Sequence, residues 1–388
     1  MVRHPLRSND IRERNEKLVL NLIFMNGSMA QSKVVQETGL KAPTVFRIFA
    51  KLEEEGMIRQ CAEEEAVDDR AATERKGRRP SFYCIEPQSG YAVGVDFSRL
   101  AAAVIVVDFS NTVIYRHDTE FTGSQNRDSI LNTIQTMIDR AITGSAIDPA
   151  ALIGIGIAAP GRVDTVDGRV VEYPRIPGLS GYSIKEHFEA VYDAPVYVHN
   201  NASVIAASAY HYGTAREESS LLAVLVRSGV GGALVNHGEI FLNGTKTVLE
   251  IGRMTATDTG PESLETIVSE PAMLALVRDA TGLESWEAVE RTLDRETLEP
   301  IIASARDALA RAVHNLYHVF HPEAILLISR FHILTEVLGA AIRCDLPECR
   351  VIPSVYDPVQ ACYGATDLVF ARFFLRSPDQ LIAGSPEK

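Results

Sequence analysis

No run of apolar residues in this chain approaches the ~20 needed to cross a bilayer. The opening residues, MVRHPLRSNDIRERNEK, lack the apolar core of a secretory signal, so a cytoplasmic protein without membrane contact is expected. Cysteines number five (Cys61, Cys84, Cys344, Cys349, Cys362), an odd and scattered set that excludes a disulfide scaffold and reads as reduced thiols. Positive charge is also short. Lys and Arg total 38 against 51 Asp and Glu, a net charge of −13, which argues against polyanion binding by the whole surface. What remains is a globular composition, 46% hydrophobic and 23% charged, long enough at 388 residues for two or three domains.

The acidity is unevenly spread. Residues 1–84 hold 15 Lys and Arg against 13 Asp and Glu, whereas the remainder holds 23 against 38. Nucleic-acid contact, if any, belongs to the first segment. There, Leu18, Val19, Leu22 and Ile23 form the stripe of a helix from about Ile11 to Met25, which stops at Asn26-Gly27. A short helix fits Gln31–Thr38 and ends at Gly39, which can take the positive φ of a tight turn. Pro43 then suits a first helical turn. Val45, Ile48, Phe49 and Leu52 make one buried face of the next helix, with Thr44, Arg47 and Lys51 on the other. This is the pattern of a helix-turn-helix whose second helix enters a major groove. Met57–Gln60 and Ser81–Ile85 read as two strands of a wing around the basic run Arg75–Pro80. Its Arg78 and Arg79 suit a narrow minor groove.

From Gly90 the pattern changes. Tyr91–Phe97, Ala101–Asp108 and Thr112–Thr119 read as consecutive strands, followed by a helix at Arg127–Ile142 and a strand at Leu152–Ala158. A second copy begins with Leu221–Val226, Gly232–Asn236 and Glu239–Leu242, and the strand Ala324–Ser329 and the helix Val359–Arg372 complete it. Such a duplication predicts two similar α/β lobes with a ligand cleft between them.

The order of short motifs along nearly the whole chain is similar to the ROK family (repressors, open reading frames and sugar kinases). These motifs are Val93-Gly94-Val95-Asp96, Ala159-Pro160-Gly161, His199-Asn200-Asn201-Ala202, Ser228-Gly229-Val230-Gly231, Glu250-Ile251-Gly252 and Ser263-Leu264-Glu265. With the winged helix, they resemble its repressor branch, the regulators of xylose, N-acetylglucosamine and glucose utilisation. The resemblance implies an α/β protein: an N-terminal winged helix-turn-helix in residues 1–88, then a two-lobed actin/hexokinase-like domain. Residues 89–199 with about 355–388 would form the first lobe and residues 200–354 the second.

The resemblance also sets what a sugar kinase would need. The phosphate loop Asp-x-Gly-Gly-Thr is here Asp96-Phe97-Ser98-Arg99-Leu100, and the catalytic Asp of an Asn-Asp pair is Asn201. An amide cannot take a proton at neutral pH. The Gly-Gly on the adenosine side is Ser329-Arg330-Phe331. A kinase with an appended DNA-binding domain is the alternative, and no enzymatic activity, cofactor or metal is expected. The family's structural zinc would use cysteines and a His, but Ser263 and Arg253 stand at two of those positions. His314, His318 and His321 share a helical face, yet read as packing or surface residues, as do Cys344 and Cys349.

Family sugar contacts fall on Asn200, Glu250 and Glu265, with Gly161 allowing backbone approach and Asn201 and Arg253 beside them. Arg253 is expected either to meet an anionic ligand, such as a sugar acid or sugar phosphate, or to pair internally with Glu250 or Glu265. The expected partners are a double-stranded DNA operator, a small carbohydrate or derivative, and further copies of the chain in a homodimer or homotetramer.

Overall fold

The computed structural model describes residues 8–61, 81–211, 213–216, 218–244, 247–256 and 262–375. The first unit holds helices α1 (Ser8–Asn26), α2 (Gln31–Thr38) and α3 (Ala42–Glu54), with strands β1 (Ser28–Ala30), β2 (Ile58–Gln60) and β3 (Phe82–Ile85). Gly39 ends α2 at φ +67°, and its N–H bonds back to the carbonyl of Val35, so the sharp turn into α3 needs no strained side-chain residue. Val45, Ile48, Phe49 and Leu52 are buried as the spacing predicts and close on Val19, Leu20 and Ile23 of α1 and Val34 of α2.

The wing sheet has the order β1-β3-β2 and is antiparallel. β1 went unread in the sequence, because three residues are too few for alternation to show. It pairs through Ser28 with Cys84. Residues 62–80, with Arg78 and Arg79, lie outside the described residues.

A single 3-10 turn, Pro87–Ser89, leads from β3 into the lobes. The first lobe contains β4 (Tyr91–Phe97), β5 (Ala101–Asp108), β6 (Val113–Glu120), α4 (Arg127–Gly144), β7 (Leu152–Ala159), β8 (Arg162–Asp164), β9 (Arg169–Glu172), β10 (Tyr182–Ser183), α5 (Ile184–Glu189) and β11 (Val196–Asn200). After α6 (Asn201–His211) come β12 (Ser220–Val226), β13 (Val230–Asn236) and β14 (Glu239–Ile240). Five helices follow, α7 (Leu264–Val268), α8 (Glu270–Thr281), α9 (Trp286–Thr292), α10 (Arg295–Ile301) and α11 (Ala303–Phe320). The chain then runs through β15 (Ala324–Ser329), α12 (His332–Asp345), β16 (Arg350–Val355) and α13 (Pro358–Leu375).

The duplication is visible in the topology. The first sheet runs β11-β7-β4-β5-β6 and the second β16-β15-β12-β13-β14, each a three-strand meander flanked by two parallel strands. Parallel strands such as β7 and β15 are buried on both faces, which explains their continuous apolar runs.

α13 packs on β4, β5 and β7 of the first lobe, on α6, and on α1 of the winged helix. Phe24 of α1 lies 5.0 Å from the ring of Phe370 and 4.8 Å from that of Phe374, with Phe109 stacked on Phe374 at 5.6 Å. Each such ring is worth about 1.5–3 kcal/mol when buried. The winged helix therefore shares a core with the first lobe, and a change at α13 has a packed route to α3. Among the described residues no helix is long and apolar enough to cross a membrane.

Candidate ligand cleft and nucleic-acid interface

A cavity of about 370 Å³ opens between the lobes, and Gly161, Asn200, Asn201, Glu250, Arg253 and Glu265 all line it. Its first wall is the turn after β7. Gly161 has φ +82°, and a Cβ there would come within 2.5 Å of the Glu172 carbonyl and 2.7 Å of the Tyr173 Cβ. The glycine thus serves this turn and its packing on the 172–173 strand end, a purpose the sequence did not reveal. Asn200 holds the same turn, donating from Nδ2 to the Gly161 carbonyl at 2.7 Å while its Oδ1 accepts from the Ala202 N–H at 2.9 Å. Asn201, half-buried, also accepts from the Ala202 N–H, at 3.0 Å.

Four arginines line the cavity, and each faces a carboxylate from the opposite lobe. Arg162 lies 3.4 Å from Glu250, and Arg175 lies 3.5 Å from Glu265. Arg253 reaches Glu172 at 2.6 Å, besides its neighbour Glu250 at 3.0 Å. Arg227 lies 3.9 Å from Asp96. Of the two expectations for Arg253, the internal pair is the one observed, with Glu172 in place of Glu265 as its second partner. The side chain is 55% exposed and keeps part of its hydration, so it does not depend on a ligand anion for a counter-charge. Glu172, Arg162 and Arg227 escaped the sequence reading. Arg162, directly after Ala159-Pro160-Gly161, and Arg227, directly before Ser228-Gly229, stood beside motifs that could have drawn attention to them.

Asp96 is the buried end of this network. The Tyr356 hydroxyl donates to its Oδ2, and the Arg227 guanidinium lies 3.9 Å from the centre of the Tyr356 ring. Burial pushes the Asp96 carboxyl up to about 6, outweighing the opposing pull of Arg227 and of the Tyr356 hydrogen bond.

The phosphate-loop position is closed upon itself. The Ser98 hydroxyl accepts from the N–H groups of Leu100 and Ala101, both at 3.2 Å, and the Ser98 N–H bonds to the Ala101 carbonyl at 2.8 Å. The amides that would cradle a phosphate are therefore engaged in a tight turn. At the adenosine-side position, Arg330 pairs with Glu270 at 2.8 Å and Phe331 stacks on Trp286 at 5.8 Å. His314, His318 and His321 contact one another as rings, and no group of three His, Cys, Asp or Glu suits a metal among the described residues.

On the winged helix, Arg47 is exposed and has no ion pair among the described residues, and Thr44 is half-buried near the start of α3. Lys51 differs from expectation. It bonds to Glu16 of α1 at 2.6 Å and lies 3.5 Å from Glu55, so it braces α3 against α1. Arg78 and Arg79 cannot be placed, being outside the described residues.

Residues 92–349 match the family model described as ROK family. The xylose repressor of Bacillus subtilis (strain 168) is 24% identical, with 82% of this chain and 82% of that protein aligned. The DNA-binding transcriptional dual regulator NagC of Escherichia coli (strain K12) is 24% identical over 86% of this chain and 84% of its own length. Among solved structures, a ROK family transcriptional regulator described as a homolog of the E. coli MLC protein superposes with a TM-score of 0.76 at 17% identity. It covers 94% of this chain and 97% of itself. A ROK family glucokinase from Streptomyces griseus gives 0.62 at 19% identity, with 72% of this chain and 99% of the kinase covered.

Proposed function

The chain belongs to the ROK family, and from that premise we propose that it is a transcriptional repressor which binds operator DNA through its winged helix and senses a carbohydrate-related ligand between the lobes, without transferring phosphate. One observation carries the reading: Asn200, Glu250 and Glu265 line the cavity while the Ser98 hydroxyl consumes the amides of the phosphate loop. Hydroxyl-binding groups are kept and phosphoryl-transfer groups are not. The names of the relatives, a xylose repressor and NagC, support the same reading.

The cavity favours a neutral, hydroxyl-rich ligand. Each lining arginine already faces a carboxylate, so a ligand anion would have to displace one. Sugar hydroxyls instead donate to Glu250 and Glu265, competing with Arg162, Arg253 and Arg175 for the same oxygens. The cross-cleft ion pairs and the ligand-bound contacts then define two lobe arrangements. Binding shifts the population between them, and α13 passes the change to α1 and the wings of a dimer or tetramer on its operator.

The experiment is a thermal-shift screen of the full chain against neutral sugars, sugar acids and sugar phosphates, paired with ATP turnover. A neutral sugar raising the melting temperature by the RT ln(1 + [L]/Kd) relation, with no turnover, is the expected result. Phosphorylated product, or no response to any carbohydrate, overturns the reading.

A further inference from the structure

The outward face of α3 is built of Ala42, Pro43, Phe46, Arg47 and Ala50, all exposed and all on one stripe at helical spacing. Phe46 is 65% exposed, although its neighbours Val45, Ile48 and Phe49 are buried on the opposite face. It makes no ring contact among the described residues. A phenyl group left in water adds little to the stability of the chain that bears it.

The charges around it indicate the occupant. No acidic residue stands in the first turn of α3, Lys41 precedes the helix as an exposed cation, and Arg47 follows Phe46 directly. Acid appears only at the far end, with Glu53 and Glu54. The half of the helix that bears Phe46 is thus electrostatically suited to phosphates and base edges, and the other half is repelled by them. A major groove offers one apolar feature at its base edges, the 5-methyl group of thymine.

We propose that Phe46 reads a thymine methyl in the major groove, beside the contact made by Arg47. The inference rests on the reading of α3 as the DNA-binding helix. It assigns sequence preference to an apolar side chain where the spacing of polar residues pointed only to Thr44, Arg47 and Lys51.

A binding duplex is first selected from random sequences with the full-length protein, and each thymine is then replaced in turn by deoxyuridine, which removes the methyl alone. At one thymine per half-site the replacement weakens binding by the parent about fourfold, the worth of one buried methyl. Phe46→Ala binds the thymine and uridine duplexes alike, melts like the parent, and Phe46→Leu falls between them. A parent indifferent at every thymine overturns the inference, as does a Phe46→Ala variant that keeps the parent's full discrimination. Retained discrimination with a changed oligomeric state in light scattering assigns Phe46 to a contact between copies instead. Enrichment of no duplex at all removes the DNA-binding reading itself, a result distinct from an enriched duplex that ignores the methyl.

Discussion

The cleft and the recognition helix both present arginine, but carboxylates face the first set and, among the described residues, none faces the second. Arg162, Arg175, Arg227 and Arg253 each meet a carboxylate across the lobe boundary, whereas Arg47 has no ion pair among the described residues. The difference follows from solvent. Arg227, enclosed between the lobes, loses hydration and needs a counter-charge before any ligand arrives, whereas Arg162, Arg175 and Arg253 keep part of their water. A cation on an exposed helix keeps its water and is free to exchange it for a phosphate or a guanine edge. Substitutions in the cleft should therefore register in stability, and substitutions on the helix in binding.

The largest expected effect tests that contrast directly. Arg227→Leu removes the guanidinium beside Asp96 and should cost about 3–5 kcal/mol in denaturant unfolding, the usual penalty for breaking a buried pair. Arg47→Ala should change stability by less than about 0.5 kcal/mol. Equal unfolding midpoints for the two variants would mean that the cleft arginine is no more needed by the fold than the surface one.

A second test uses pH. The folded Asp96 holds its proton up to about 6, above its unfolded value of 3.8. The extra stability this gives is complete below the unfolded value and disappears as pH rises through 6. Between pH 4 and 7 the parent should lose roughly 2 kcal/mol relative to Asp96→Asn, which has no proton to release. Parallel stability curves for the two proteins would show that Asp96 is ionised throughout that range.

How much of this was legible beforehand differs between the same two regions. The inward face of α3 was readable because Val45, Ile48, Phe49 and Leu52 repeat locally with the helical period, and β4, β5 and β15 were readable as apolar runs between turns. The cleft was legible in part. Its six expected residues do meet, since the motif order resembled a family whose cavity they form. The pairings were not. Arg162 and Glu250 are far apart in the chain, as are Arg227 and Asp96, and only the closing of two lobes brings them together. Nor could the sequence show that the Ser98 hydroxyl turns back on two amides, because that depends on the register of the β4–β5 hairpin.

The next effect belongs to binding. Arg47→Ala should weaken operator affinity by about 1–3 kcal/mol if Arg47 grips a guanine, and the loss should concentrate at one base position. If it grips a phosphate, the loss is spread across sequences and the salt slope falls by about one. Affinity measured over a salt series and a set of single-base operator variants separates these outcomes. No change in either removes Arg47 from the interface.

Lys51 gives the smallest effect and the finest division between the two kinds of site, because it stands on the recognition helix yet behaves like a cleft residue. Its ammonium bonds to Glu16, and that hydrogen bond raises its pKa, so the charge persists throughout the range in which DNA binding is measured. Holding a phosphate would require Lys51 to leave both Glu16 and Glu55, exchanging two carboxylates already in place for one new anion. Lys51→Met keeps the alkyl stem and removes only the charge. It should leave operator affinity and the salt slope at the parent's values, while its thermal melting falls modestly, because the nearly buried Glu16 carboxylate loses its closest cation and keeps Arg12. A salt slope reduced by about one in Lys51→Met would show that the lysine does release Glu16 on DNA, and would move it from the brace between α1 and α3 into the reading face.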